Sequence, residues 1–163
     1  MKYIRFNEKI TTESITSLIE KITDDCFVYF DSEGGHTDGA NMFIHFTKNT
    51  PHKITLVVTL EICSCALDMF LFSKTKKVVL DGAYAILHTY SRSLEMRDTG
   101  NQDYLTKFYI ADVIKANAER WNQYNQLGLS GDCYNKYAKG EIILLATDAL
   151  KKMAEKAELT IKH

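Results

Sequence analysis

None of the four cysteines (Cys26, Cys63, Cys65, Cys133) belongs to a CxxC pair, and their spacing forms no even loop framework. That argues against a structural zinc site and a disulfide scaffold, and leaves reduced, mostly buried thiols. No apolar stretch reaches the roughly 20 residues that span a bilayer. The N-terminal MKYIRFNEKITTES carries charge where a secretory signal needs an unbroken apolar segment. Twenty Lys and Arg against 21 Asp and Glu give a formal net charge of −1, so neither nucleic acid nor an anionic membrane is an expected partner. The GGHTDG turn has neither the GKS ending nor the GxGxxG spacing of a phosphate loop. Internal repeats and low-complexity tracts are also missing. These absences leave a cytoplasmic protein that needs no cofactor or metal.

At 163 residues, 45% hydrophobic and 25% charged, the chain fits one globular domain with a real core. A short strand, YIRF, precedes an amphipathic helix from about Thr12 to Ile22, with Ile15, Leu18, Ile19 and Ile22 at helical spacing. The strand CFVYFD stops at Gly34-Gly35, and a helix follows from Asp38 to about Lys48 with Met42, Phe43 and Phe46 on one face. After Pro51 the apolar run ITLVVTLEIC leads to Ser64 and the helix CALDMFLF. KVVLD and AYAILHTY read as two further strands. Alternating strands and helices predict parallel strands joined by crossovers. Residues 91–102, SRSLEMRDTGNQ, read as an exposed loop. Beyond it a long helix runs from Asp103 to Leu127, with Leu105, Phe108, Tyr109, Val113 and Ile114 at helical intervals and Trp121 further along. The strand EIILLA and the helix TDALKKMAEKAEL close the chain.

Ser64 falls at a strand-to-helix turn, and His88 ends the next strand-like stretch but one. A serine hydroxyl needs a neighbouring base to become a nucleophile, and the first N–H groups of a helix are aimed outward at an oxyanion forming beside it. Glycine in FDSEGGHTDG lets backbone approach a substrate closely. A helix N-cap is the plain structural reading of Ser64, and a satisfied core histidine that of His88. Cys63 and Cys65 flank Ser64 and read as small apolar filler, with a thiol nucleophile as the alternative. His36 and Asp38 read as a polar turn and helix start, His45 and His52 as surface or packing positions.

FDSEGGHTDGANMFIHF, then LEICSCALDMFLFSKTKKVVLDGAYAILH, the long helix and EIILLATDALKKM together resemble the proteolytic subunit of the Clp protease, in the ClpP/crotonase-like superfamily. The resemblance covers nearly the whole chain. It implies an α/β fold of repeated β-α-β units with a protruding handle helix: a head of about 1–90 and 141–163 and a handle region of about 91–140. It implies a serine endopeptidase with Ser64 as nucleophile, His88 as base and Glu141 as the acid, Asp132 being a substitute. Gly34 and Cys65 would supply the oxyanion amides. A peptide or unfolded protein would be the substrate, in a homo-oligomer. The chain begins almost at its first strand, so the axial loop is expected to be short or absent and docking to an unfoldase ATPase is not expected.

Departures from the family pattern are Glu33 where proline is usual, Ala66 where glycine is usual, and Asp68, a charge one turn into a helix packed in the core. Such a carboxylate must be partnered, protonated or facing solvent. These departures favour a second expectation, a non-catalytic ClpP-like subunit that keeps the fold and its assembly surface. A third, an acyl-CoA enzyme of the crotonase type, requires a CoA site for which the chain offers no clear basic cluster.

Overall fold

The computed structural model describes residues 2–89 and 102–161, with side chains for all of these except 102–109. Strands β1 (Lys2–Phe6), β2 (Cys26–Phe30), β3 (Ile54–Val58) and β5 (Lys76–Val79) form a parallel four-stranded sheet in that order. A second sheet contains β4 (Glu61–Cys63), β6 (Tyr84–Leu87) and β7 (Ile143–Leu145), with β4 parallel and β7 antiparallel to β6. The expectation of parallel strands holds for the first sheet and for β4 with β6; β7, outside that alternating run, follows a long helical excursion and returns in the opposite sense.

Helices α1 (Thr12–Lys21) and α2 (Thr37–Asn49) connect the first strands, and α3 (Cys65–Phe72) follows β4. Thr11 and Ser14 close a capping box at the start of α1, each side chain accepting from the other's amide at 3.1 and 3.0 Å. Ile15 and Leu18 are the buried face of that helix. Phe43 is the buried centre of α2, with Met42 and Phe46 packed partly against the core. The long α4 (Gln102–Gln126), a 3-10 turn over Gly131–Cys133, α5 (Tyr134–Ala138) and α6 (Thr147–Ile161) complete the chain.

The run ITLVVTLEIC is two strands rather than one. Asp31, just past β2, accepts backbone hydrogen bonds from Thr59 (3.0 Å), Leu60 (2.7 Å) and Glu61 (3.3 Å), and from the Thr59 hydroxyl. One carboxylate thus satisfies the amides of the bend that moves the chain from the first sheet into the second. Beyond it, every residue of α3 from Cys65 to Leu71 is buried, and the helix packs against both α2 and α6. A helix apolar on all sides can be stable only inside a core.

The expected loop over 91–102 lies outside the described residues except for Gln102, which begins α4. The side chains of Leu105, Phe108 and Tyr109 lie outside them too. Farther along α4, Val113 is half-buried and Ile114 is 64% exposed, so the apolar spacing there does not mark a covered face in the single chain. Trp121 and Tyr124 anchor the C-terminal part of α4 in the core. Among the described residues no helix is long and apolar enough to cross a membrane.

Lys77 is a buried cation between α3 and α6. Its ammonium donates to the carbonyls of Ser73 (2.9 Å) and Thr75 (3.1 Å), while its amide donates to the Glu158 carboxylate. Burial pushes its pKa down from 10.5 to about 8, against the attraction of Glu158. Between those two values the unfolded chain holds a proton that the folded chain has released, so this residue makes stability rise with pH there. Urea denaturation is expected to show a gain on the order of 3 kcal/mol from this group across that window, by the usual free energy per pKa unit. Lys77→Met should flatten that gain; an identical pH dependence in the variant would count against the assignment.

Candidate active site

Ser64 is the one non-glycine residue with positive φ among the described residues, at φ 56° and ψ −126°. A side chain held there is strained, and the strain persists because its surroundings fix the turn. The Ser64 amide donates to the Ile86 carbonyl at 2.9 Å, and its own carbonyl accepts from Leu67 at 3.0 Å. The turn is therefore tied to β6 on one side and to the first turn of α3 on the other. The hydroxyl makes no capping hydrogen bond, so the N-cap role that serine ordinarily plays is not performed by its side chain. A sharp strand-to-helix turn that frees the hydroxyl is the geometry of a nucleophile elbow.

The glycine pair lies against this turn. Gly34 has φ 90°, and a Cβ on it would sit 2.6 Å from the Cys63 carbonyl oxygen and 3.0 Å from the Ser64 Cβ. Only glycine permits that approach. The Gly34 amide donates to the Ser32 hydroxyl at 3.2 Å, and the Ser32 hydroxyl donates to the Glu8 carbonyl at 2.7 Å. The Gly35 amide bonds toward the Cys65 sulfur. Cys65 is the first residue of α3, where backbone N–H groups have no intrahelical partner.

His88 follows β6 two residues after Ile86, on the same side of the strand by alternation, and is half-buried. Its Nδ1 lies 2.7 Å from the Thr89 carbonyl oxygen. Since a carbonyl can only accept, Nδ1 is the donor in this contact, and in the neutral ring the lone pair is then on Nε2. The His88 carbonyl accepts from Arg120 Nη1 at 2.7 Å. Adjacent strands thus place Ser64 and His88 near each other, but no hydrogen bond joins the hydroxyl to the ring.

Glu141 is exposed, and its amide donates to the Lys136 carbonyl at 2.9 Å. It lies two residues before β7, whose Ile143 pairs with Leu87. Its carboxylate makes no hydrogen bond to His88 among the described residues. Asp132 is exposed in the 3-10 turn, engaged with Ser130, whose hydroxyl lies 3.3 Å from its carboxylate. His45 is exposed on α2, and His36 precedes that helix without a side-chain cap.

The flanking thiols are poorly suited to nucleophilic chemistry. Burial, then the Asp68 carboxylate, pushes Cys65 up to about 11. Burial and Glu61 raise Cys63. Both stay protonated at neutral pH, and it is the thiolate that reacts.

Asp68 is partnered. Arg120 approaches it with Nε 3.1 Å from Oδ1 and Nη2 2.9 Å from Oδ2, and Tyr124 donates its hydroxyl to Oδ1. The lone charge in CALDMFLF signalled that a partner was needed. Its identity was not legible, because Arg120 lies 52 residues further on. Thr89 and Ser32, which hold the histidine ring and the glycine turn, carried no sequence signal.

No protein-family description matches the sequence, and no curated protein matches it. In three dimensions the chain is similar to a mutant of ClpP1 from Listeria monocytogenes, with a TM-score of 0.61 and 16% identity over 93% of this chain and 86% of that one. The fold is accordingly mixed α/β and ClpP-like.

Two substitutions probe the turn. Ser64→Gly removes the Cβ from a left-handed position and is expected to leave the protein about 1 kcal/mol more stable than Ser64→Ala, which keeps it. Gly34→Ala, driving a Cβ into the Cys63 carbonyl, should cost about 2 kcal/mol or more. Thermal denaturation measures both; equal melting temperatures for the two Ser64 variants would refute the strain.

Proposed function

We propose that the chain is a ClpP-like serine peptidase. The observation that carries the reading is the strained Ser64 turn, with its hydroxyl uncommitted, beside a histidine whose Nδ1 is held as the donor. Ser64 Oγ attacks the peptide carbonyl carbon as His88 Nε2 takes its proton. The tetrahedral oxyanion is held by the Cys65 amide and by the Gly34 amide, which must exchange its bond to the Ser32 hydroxyl for one to the oxyanion. Collapse breaks the C–N bond, His88 returns the proton to the leaving amine, and water then releases the acyl group by the same steps. The Ser64–His88 hydrogen bond forms with substrate in place, as catalytic hydrogen bonds often tighten only in the complex.

The third group of a triad fixes the tautomer and orientation of the histidine. In this reading the Thr89 carbonyl does that work, and Glu141, two residues before β7, is the reserve acid. Assembly as a homo-oligomer through the region 91–140 completes the proposal. Ile110 and Ile114 on α4, exposed at 53% and 64%, and Ile142 and Leu144 at β7, exposed at 69% and 64%, are apolar surface that a second copy would cover.

A second reading, a non-catalytic subunit of the same fold, is favoured by one observation: the Gly34 amide is occupied by Ser32. It requires assembly without chemistry.

A fluorophosphonate probe separates the two. The native protein is expected to label at Ser64, with no labelling in Ser64→Ala and a rate at least about 100-fold lower in His88→Ala. Glu141→Gln should stay within about threefold of wild type if Thr89 holds the ring, against a loss of about 10⁴ if a carboxylate does. An unlabelled protein that sediments as an oligomer establishes the second reading; an unlabelled monomer removes both.

A further inference from the structure

Asp68 and Arg120 are 7% and 3% exposed, and a buried ion pair is costly to form unless its geometry is good and its remaining donors are used. Here they are used in an uneven way. Two nitrogens of the guanidinium, Nε and Nη2, face the Asp68 carboxylate at 3.1 and 2.9 Å. The third, Nη1, donates at 2.7 Å to the carbonyl of His88. The Tyr124 ring lies 5.3 Å from the same guanidinium, one helical turn further along α4.

One rigid planar group therefore ties together the helix that Ser64 starts, the strand end that carries His88, and α4, and it also meets the Tyr137 hydroxyl of α5. The regular pairing of β6 stops short of His88, with Ile86 opposite Cys63 on one side and Leu87 opposite Ile143 on the other. Beyond it the His88 carbonyl depends on Arg120. That carbonyl belongs to the planar peptide unit joining His88 to Thr89. Rotation of this unit would carry Thr89 with it, and so displace the acceptor of the ring proton 2.7 Å from Nδ1.

We infer that Arg120 is a positioning residue for His88, fixing the His88–Thr89 peptide and through it the imidazole tautomer, with Asp68 holding the guanidinium in place. The inference rests on the reading of His88 as the base. Because Arg120 belongs to α4, any partner that settles α4 also settles the histidine.

The test uses two readouts on the full chain. Nitrogen-15 NMR of the histidine rings reports the His88 tautomer without requiring activity, and the rate of fluorophosphonate labelling reports the site as a whole. Arg120→Lys keeps a cation for Asp68 but lacks the planar fork. Asp68→Leu with Arg120→Met replaces the pair by apolar groups, an exchange that buried ion pairs often tolerate. Each variant is expected to fold, to lose the single Nδ1–H tautomer in favour of a mixture, and to label about 10- to 100-fold more slowly. Lys77→Met, which disturbs the other end of α3 without touching His88, should keep both signatures.

If either folded variant retains the wild-type tautomer and labelling rate, the pair is purely structural and the inference is overturned. If the wild-type protein does not label, the peptidase reading fails alone, and the tautomer readout still decides the role of Arg120.

Discussion

The Asp31 carboxylate governs how the two sheets meet. Its bonds to the amides of Thr59, Leu60 and Glu61 set the bend between β3 and β4. The next residue, Ser32, bridges to Ile62, donating its amide to Glu61 and accepting from Cys63 at 3.0 and 2.8 Å. The glycine turn follows within two residues, and the Ser64 turn follows directly on β4. Both sides of the candidate site are therefore referred to one small polar joint. Without its carboxylate three bend amides would compete for water, and the spacing between the glycine turn and the serine would lose its reference.

Two kinds of strain relief meet at this joint. The glycines accept left-handed backbone without a Cβ penalty, whereas Ser64 accepts it with one. That difference locates the position where a side chain is worth more than relaxed backbone. Nearby, the Asp68–Arg120 pair introduces a polar group into a helix otherwise apolar on every side. Both departures lie within one turn of α3 and both face the β6 end. Conflicts between local preference and global fold concentrate at functional positions, and these two adjoin each other.

Much of the fold was legible because its signals are local. The helical spacing of Ile15, Leu18, Ile19 and Ile22, the aromatic and β-branched CFVYF and the apolar run around Asp68 in α3 each announce their state within a few residues. The division of ITLVVTLEIC between two sheets was not legible, because the polar group that bends it lies 28 residues earlier at Asp31. The direction of β7 was likewise decided by tertiary return after α4 rather than by its own residues. At the candidate site, Ser64, His88 and the glycine pair stood out in the sequence as residue types suited to acyl transfer. What holds them (Ser32, Thr89 and Arg120) was not, since a backbone carbonyl and a distant guanidinium leave no pattern in a sequence.

The burial of α3 from Cys65 to Leu71 bears on how this molecule can breathe. A segment with no solvent face cannot peel away in a small fluctuation, so its amides should open only in events close to global unfolding. The serine at its start then belongs to the slowest-exchanging part of the chain. His88 lies past the last paired residue of β6 and belongs to a faster one. Relative motion of the two residues therefore comes from the histidine's side, with the serine turn standing as the fixed post.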